Sequence, residues 1–467
     1  MHLSIFDTKL RKKVVLKPEK ENTIRMYTCG PTVYNFAHIG NLRTYVFEDI
    51  LRRTILLFKM KIKHVMNLTD VDDKTIRRAN EKGLSLAAFT KQYKEAFFQD
   101  LNTLNIQPAE KYTAATDYID QMIILIQGLI DKEIAYKTPD GNVFFRIEKF
   151  PSYGKLSHFC LEDLKVGASE RVTGDEYDKE NITDFVLWKA YDPDKDGEVS
   201  WEAPWGKGRP GWHIECSAMA MHCLGDTIDL HVGGQDNIFP HHENEIAQSE
   251  AYTGKVFARH WMHSAHLVVD GKKMSKSLGN FYLLSDLLEK GYSGREIRYL
   301  LMATHYRIGL NFTLEGLDSA QKSLRRIDDF VDRLKMIDCD SSNNFEREIN
   351  AFERKFTEFL ADDLNVSGAL GVLFDFIRAT NATCDQNKLG KIGAEKIIAV
   401  FKKLDQVLGV LEKGELNIPS EIKLAFEKRN EARRLKNWDM ADTFRKKIED
   451  AGFIIEDAPA GSFLKLK

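Results

Sequence analysis

Four stretches of this 467-residue sequence carry side chains whose types and spacing could do chemistry. Cys29 sits at the edge of a Gly30-Pro31 turn, and nine residues on His38 and Gly40 fall where a helix should open. A helix start behind a strand offers unpaired N–H groups and the positive end of the helix dipole, which suit phosphate oxygens. Taken alone, His38 is as readily a helix cap as a phosphate ligand. Downstream, Gly271-Lys-Lys-Met-Ser-Lys-Ser-Leu-Gly-Asn280 sets lysines 272, 273 and 276 between glycines. Such a loop can close over negative charge, although most lysine-rich loops are simply solvated. His241 and Glu245 stand four apart behind Pro240, so an imidazole and a carboxylate share one helix face. Spacing alone leaves a surface His–Glu pair as the commoner meaning. Asp236 follows a Gly-Gly pair at the end of a strand, a position from which it reaches an amino acid or a ribose.

These side chains need elements to hold them. Ile24 to Tyr27 reads as a strand, His38 to about Lys59 as a helix, and Ile62 to Leu68 as a second strand: the strand–helix–strand unit of a parallel sheet. Thr69 follows that second strand and divides between capping the next helix and contacting substrate, whereas Asp72 and Asp73 read as caps. Tyr118 to Ile130 is helical, a turn at Thr138-Pro-Asp-Gly leads into a strand, and Tyr153 to Ser157 with Gly174 to Glu180 reads as an exposed insertion. The sheet is expected to resume near Trp201, with Ile228 to Val232 as a further buried strand. Beyond Leu301 the pattern is helical: 318–336, 345–362, 366–381 and 391–411 place apolar residues three and four apart. Asn417-Ile-Pro-Ser420 reads as a linker to a small final module.

Charged residues make up 29% and hydrophobic ones 43% of the chain, and no apolar run is long enough to span a bilayer. The first residues lack the pattern of a signal peptide, so the expected location is cytoplasmic. Six cysteines at 29, 160, 216, 223, 339 and 384 show no framework spacing, which favours free thiols or metal ligands over disulfides. A net charge of −3 argues against indiscriminate nucleic-acid binding. A local basic face remains open to it, because residues 428–447 hold eight basic and three acidic side chains, a balance of +5.

His38-Ile-Gly-Asn41 and the lysine loop together resemble the two signature sequences of class I aminoacyl-tRNA synthetases. The stretches Thr28 to Tyr34, Asn67 to Lys74, Gly208 to Met219 and Phe239 to Ser249 are similar to those of the cysteinyl-tRNA synthetases, and the resemblance spans essentially the whole chain. It implies an α/β fold: a Rossmann-type parallel-sheet core with a connective insertion, then an α-helical bundle and a C-terminal anticodon-binding module. The implied domains are 1–115 and 200–250 for the two core halves, 116–199 for the insertion, 251–315 for the lysine loop and stem contacts, 316–412 for the bundle and 421–467 for the module. The implied chemistry is activation of cysteine by ATP, probed at His38, Lys273 and Lys276 as catalytic residues, and transfer to tRNA. Gly40, Asn41 and Ser275 join them around ATP, and Magnesium is expected to accompany it. Cys29, Thr69, Trp212 and Asp236 are implied substrate contacts.

Only the resemblance gathers Cys29, Cys216, His241 and Glu245 into one zinc site, with His213, His242 and Cys223 as neighbours outside the set. A soft thiolate is a good zinc ligand and a serine hydroxyl a poor one, which accounts for a synthetase using zinc to choose cysteine. In the tail, Arg429, Arg433, Trp438 and Arg445 are the implied tRNA contacts, and a monomer is expected. One departure is Ala114-Ala-Thr116, where the family pattern has a basic residue first. Two competing readings are a cysteine ligase of the mycothiol type, joining cysteine to an amino sugar, and a non-catalytic zinc protein that binds RNA. The tail favours the synthetase over the first, and His38, Gly40 and the lysine loop disfavour the second.

Overall fold

A computed structural model describes residues 1–19, 21–159, 184–275, 278–339, 345–411, 419–458 and 461–466. Its central sheet has five parallel strands, β1 (Thr23–Thr28), β2 (Lys61–Leu68), β3 (Lys111–Ala114), β4 (Ile228–Gly234) and β5 (Ala258–Ser264), in the order β5-β4-β1-β2-β3. The chain builds outward from β1 through β2 to β3, then returns to the other side of β1 with β4 and β5. The direction of winding therefore reverses between β1 and β4, where a crevice opens at the carboxyl ends of the strands. Cys29 lies at that reversal, and its N–H donates to the carbonyl of Val232 at 3.2 Å. Gly30 is required there, since a Cβ would stand 1.8 Å from the carbonyl oxygen of Asn67.

Helix α1 (Ile39–Leu57) joins β1 to β2 and is buried along most of its length, so its apolar residues do not form one clean stripe. It also carries buried charged side chains, several of them bonded to distant parts of the chain. Arg43 donates to the carbonyls of Ala265 and His266, both at 2.7 Å, which fixes α1 to the segment leading into the lysine loop. Asp49 accepts from Arg53 at 2.7 Å and from Arg298 at 2.5 Å. Arg298 also donates to the carbonyls of Leu104 at 3.0 Å and Leu408 at 2.7 Å.

Leu408 ends the fourth bundle helix. The bundle comprises α2 (Leu314–Lys335), α3 (Glu346–Ala361), α4 (Val366–Asp385) and α5 (Lys391–Leu408), and its last carbonyls are thus capped by guanidinium groups of the core. A second tie is Asp363, between α3 and α4, which accepts from Phe6 N–H at 2.7 Å, Tyr306 at 2.6 Å and Arg307 at 2.7 Å. The apolar core is continuous across the joint, from Val46 and Ile50 of α1 to Phe330, Phe352 and Phe401 of the bundle. Arg298→Met removes one of the two guanidinium groups on Asp49, Arg53 remaining, and leaves the buried carbonyls of Leu104 and Leu408 without that donor. The expected loss is about 3–5 kcal/mol in unfolding free energy, measurable by denaturant titration.

The segment between β3 and β4 forms a separate four-stranded antiparallel sheet, Ala135–Lys137, Val143–Phe145, Phe185–Ala190 and Gly208–Pro210. Trp201 bridges to Gly208 and belongs with this small sheet, so the parallel sheet resumes at Ile228 and not near Trp201. Tyr153 to Ser157 is also not an exposed loop: Tyr153 and Leu156 are buried, and the carboxylate of Glu243 gathers the N–H groups of Gly154, Leu156 and Ser157 at 2.8–3.0 Å. A buried acceptor satisfies a polar-looking loop that would otherwise need water. Gly174 to Glu180 lies outside the described residues.

The last module is a helical hairpin, α6 (Ser420–Arg434) and α7 (Trp438–Asp450), followed by two antiparallel strands. It closes over its own small core of Ile422, Ala425, Ile448 and Phe453.

Candidate active site and metal centre

The crevice holds two groups of side chains. One is a buried donor set at its floor. Cys29 comes from the turn after β1, Cys216 from the helix Trp212–Leu224, and His241 and Glu245 from the turn and helix after β4. Their ligand atoms all lie within 4.8 Å of one another. Both thiols are free, and all four residues are less than a tenth exposed. A second quartet, Cys29, His231, His242 and Glu245, satisfies the same distance.

Hydrogen bonding separates their roles. Glu245 turns Oε1 toward His241 Nε2, at 3.1 Å, and gives Oε2 to His231 Nε2 at 2.8 Å. Nδ1 of His241 is held at 3.0 Å by Nδ1 of His213, leaving Nε2 aimed at the cluster. His242 approaches Cys29 Sγ at 3.2 Å, and its other nitrogen meets His263 at 2.8 Å, which in turn meets Thr8 at 2.8 Å. Relative to the first quartet, His213 and His231 thus hold His241 and Glu245 from outside, the place that outer partners take in metal sites. His231 is the residue that sequence reading missed. The only signal was a histidine within an otherwise buried strand.

The electrostatics are compatible with a cation. Burial pushes the Cys29 thiol well above its usual range, and the Cys216 and Glu245 charges add to the shift. For Cys216 burial also opposes ionisation, yet the hydrogen bond from Cys29, with help from His241, brings it down to about 6 despite the Glu245 charge. Burial first, then the neighbouring imidazoles, keep His213 and His242 well below the usual histidine range, so both stay neutral and able to act as lone-pair donors. Two sulfurs, an imidazole and a carboxylate confined in one dry space fit a tetrahedral soft-metal ion. Trp212 stacks on His241 with ring centroids 4.3 Å apart and forms a wall beside the donor set.

The second group lines the rim. His38 is the N-cap of α1: its Nδ1 accepts from the N–H groups of Gly40 at 3.1 Å and Asn41 at 3.3 Å, and Asn41 returns a bond to the His38 N–H. An accepting Nδ1 in a neutral ring places the proton on Nε2, which then faces outward as a donor. Capping and phosphate contact are thus compatible roles of one ring. A Cβ at residue 40 would come within 3.0 Å of that ring, so glycine lets the imidazole fold back. Burial lowers the pKa of His38, and the Asp236 carboxylate across the crevice partly offsets the shift.

The lysine loop meets this turn directly. Ile39 N–H donates to Tyr282 at 3.1 Å, the His38 and Phe281 rings make an edge contact at 5.5 Å, and Met274 lies beside Gly40. Lys272 and Lys273 form an exposed strand paired with Val268 and Val269, and Asn280 fastens the loop by accepting from Ser275 N–H at 2.8 Å. Lys276 lies outside the described residues.

Asp72 caps the helix Asp73–Glu81 by accepting from Thr75 N–H at 2.6 Å, as expected. Asp73 does not cap; it pairs with Lys189 at 2.5 Å and with Arg209, tying the insertion to the core. Thr69 is no cap either, since its hydroxyl donates to Glu215 at 2.9 Å. Near Ala114, Lys94 supplies positive charge, its ammonium 2.6 Å from Asp70. In the tail, Arg429 is a correction: it is 1% exposed and bonded to Asn430 and Ser462, because the hairpin packs that face inward. Trp438 is 58% exposed. Arg433 and Arg445 are half-buried on the same hairpin.

Residues 15–322 match the family model of the tRNA synthetases class I (C) catalytic domain, and residues 355–412 match the DALR domain. A cysteine--tRNA ligase of Protochlamydia amoebophila (strain UWE25) is 57% identical over 466 residues, covering 99% of this chain and 98% of the relative. One of Chlamydia felis (strain Fe/C-56) is 52% identical over 468 residues, with the same coverage of 99% and 98%. Among solved structures, methionyl-tRNA synthetase of Mycobacterium tuberculosis in complex with methionyl-adenylate superposes with a TM-score of 0.62 over 83% of this chain and 92% of that one. Its 14% identity speaks for the fold alone. With two thirds of its length in the class I catalytic model and near-complete alignment to those ligases, the chain belongs to the cysteine--tRNA ligase family of class I tRNA synthetases.

Proposed function

We infer that the chain joins cysteine to tRNA(Cys) in two steps, forming cysteinyl-adenylate from L-cysteine and ATP and then transferring the cysteinyl group to the tRNA 3′ end. The observation that carries this reading is the buried Cys29, Cys216, His241 and Glu245 set lying in the same crevice as the His38 turn and lysine loop. Those four residues would hold zinc, which when bound supplies a soft Lewis acid for a substrate thiolate that a serine hydroxyl does not match. Trp212 and Thr69 shape the amino-acid pocket, and Asp236 faces the amino acid or ribose. In the activation step the cysteine carboxylate attacks the α-phosphorus and the bond to pyrophosphate breaks. His38 Nε2–H would donate to the phosphate oxygens while Lys273 and Lys276 neutralise charge on the transferring and leaving groups. Gly40, Asn41 and Ser275 provide close backbone and polar contacts to ATP, with magnesium as its counter-ion.

Residues 421–467 would read the anticodon, using exposed Lys428, Arg434, Lys446 and Lys447 on phosphates, Arg433 and Arg445 beside them, and Trp438 for stacking. No helix among the described residues is long and apolar enough to cross a membrane. Action in the cytoplasm as a monomer completes the reading. The mycothiol-type ligase and the non-catalytic RNA-binding protein gain no support from the relatives.

Deleting residues 421–467 tests the assignment of the tail. The module has its own core, so removal leaves the bundle interior covered, and circular dichroism should show the truncated chain folded. Cysteine-dependent ATP–pyrophosphate exchange should persist, while tRNA charging falls by about fivefold or more, as loss of one stacked base worth roughly 1–3 kcal/mol requires. The full chain should also lose tRNA affinity more steeply with salt. Equal charging and equal salt slopes would defeat the anticodon assignment and favour a small-molecule ligase.

A further inference from the structure

The helix Asp73–Glu81 carries a charge pattern that its own stability does not explain. Residues 74–82 hold four basic side chains and one acidic, a balance of +3, with the cations at 74, 77, 78 and 82. Like charges three and four apart share a helix face and repel. Lys74 also falls in the first turn, where the helix dipole disfavours a cation. Acids do little to offset them. Asp73 is already held by Lys189 at 2.5 Å and by Arg209, and Glu81 reaches Arg77 only at 3.8 Å. Among the described residues no carboxylate pairs with Lys74, Arg78 or Lys82.

This face is fastened to the crevice. Arg78 Nη1 donates to the Tyr34 carbonyl at 3.1 Å, its guanidinium lies 4.9 Å from the centre of the Tyr34 ring, and the Lys74 ammonium lies 5.6 Å from the same centre. Tyr34 belongs to the loop that runs from Cys29 at the floor to His38 at the rim. Backbone bonds stitch that loop to the end of β2: Val33 N–H donates to the Thr69 carbonyl at 3.0 Å, and Thr69 N–H to the Pro31 carbonyl at 3.1 Å. Two residues beyond Tyr34, Phe36 is 42% exposed, with Tyr93 meeting its ring edge-on at 5.1 Å. Cations for a phosphate backbone and an open ring for a base are the pairing that suits single-stranded nucleic acid.

We propose that Lys74, Arg77, Arg78 and Phe36 form the surface on which the single-stranded 3′ end of the tRNA lies as it enters the crevice. This rests on the reading of the chain as a tRNA-charging enzyme, in which that end must reach an adenylate held between Cys29 and His38. The mutual repulsion of the cations is relieved when phosphates lie among them, so the helix gains from the partner what it gives up alone. Phe36 offers its ring to one base of the unpaired end, and the Arg78 bond to Tyr34 keeps cations and ring at a fixed distance from the rim.

The test uses the full-length chain with tRNA(Cys) and with the same tRNA lacking its unpaired 3′ nucleotides. The double variant Lys74→Gln, Arg77→Gln leaves the Arg78–Tyr34 bond in place and relieves repulsion, so circular dichroism should show it folded. Cysteine-dependent pyrophosphate exchange should stay within about twofold, while affinity for intact tRNA falls by about fivefold or more. The slope of log affinity against log salt should flatten by about 1.4, the share of two single-strand phosphate contacts. Phe36→Leu, which keeps an apolar side chain against Tyr93, should weaken intact tRNA by about fivefold or more. The shortened tRNA should bind the wild-type chain and both variants alike. A wild-type chain that charges no tRNA(Cys) would defeat the functional reading and this surface together. If it charges tRNA, unaltered affinity and salt slope in the double variant would overturn the surface alone. Equal weakening of intact and shortened tRNA would move the cations from the 3′ end to the duplex, and a matching fall in exchange would give the face to ATP; either result overturns the assignment.

Discussion

Cys216→Ser protein is expected to purify with almost no zinc, the wild-type chain with one ion, and the variant to activate cysteine about a thousandfold more slowly, a loss of roughly 4 kcal/mol from the transition state. The reason lies in the donor set. Cys216 is the thiol whose ionisation survives burial, brought to about 6 by Cys29 and His241, so it is the sulfur most ready to meet a metal. A serine there keeps its proton at neutral pH and is a poor soft-metal ligand. The remaining Cys29, whose thiol is pushed upward by burial, would have less reason to ionise. Metal analysis by mass spectrometry and pyrophosphate exchange together check the result. Full zinc content in the variant would remove Cys216 from the ligand set and bring the alternative quartet with His231 and His242 forward.

His38→Asp separates the two roles of one ring. Aspartate is among the best N-caps, so α1 should start as before and unfolding free energy should change by less than about 0.5 kcal/mol. The outward Nε2–H is gone and a negative charge replaces it, so exchange should fall by about 10²–10³-fold with a smaller change in ATP affinity. His38→Ala should lose both functions, with about 1 kcal/mol of stability added to the kinetic defect. Exchange near the wild-type rate in His38→Asp would reduce His38 to a cap.

The strands at Ile24 and Ile62 were legible as short apolar runs, and the helix at His38 from its place behind a strand and the Gly30-Pro31 turn. The floor of the crevice was not, because its ligands meet only when β4 lands beside β1, and spacing along the chain carries no trace of that. His231 was hidden for the same reason: its neighbours in sequence are a strand core, while its partner Glu245 arrives from the following helix. Arg429 misled in the opposite sense. Composition put it on a basic face, but helical hairpin packing turned it toward Ser462. Tyr153 to Ser157 looked solvated because its polarity was visible and the distant acceptor, Glu243, was not.

The caps that Arg298 and Arg53 place on the end of α5 bear on how this protein can be taken apart. The catalytic match ends at residue 322, yet Arg298 inside it is satisfied by Leu408, which lies in the DALR match. Cutting the gene at the seam would leave a buried guanidinium in one fragment and bare helix carbonyls in the other, so the boundary between the two sequence families is not a boundary between autonomous folding units. Chimaeras that exchange bundles between relatives would inherit a lock without its key unless Asp49, Arg53, Arg298 and Asn105, whose amide donates to the Gly409 carbonyl at 3.0 Å, travelled with α5.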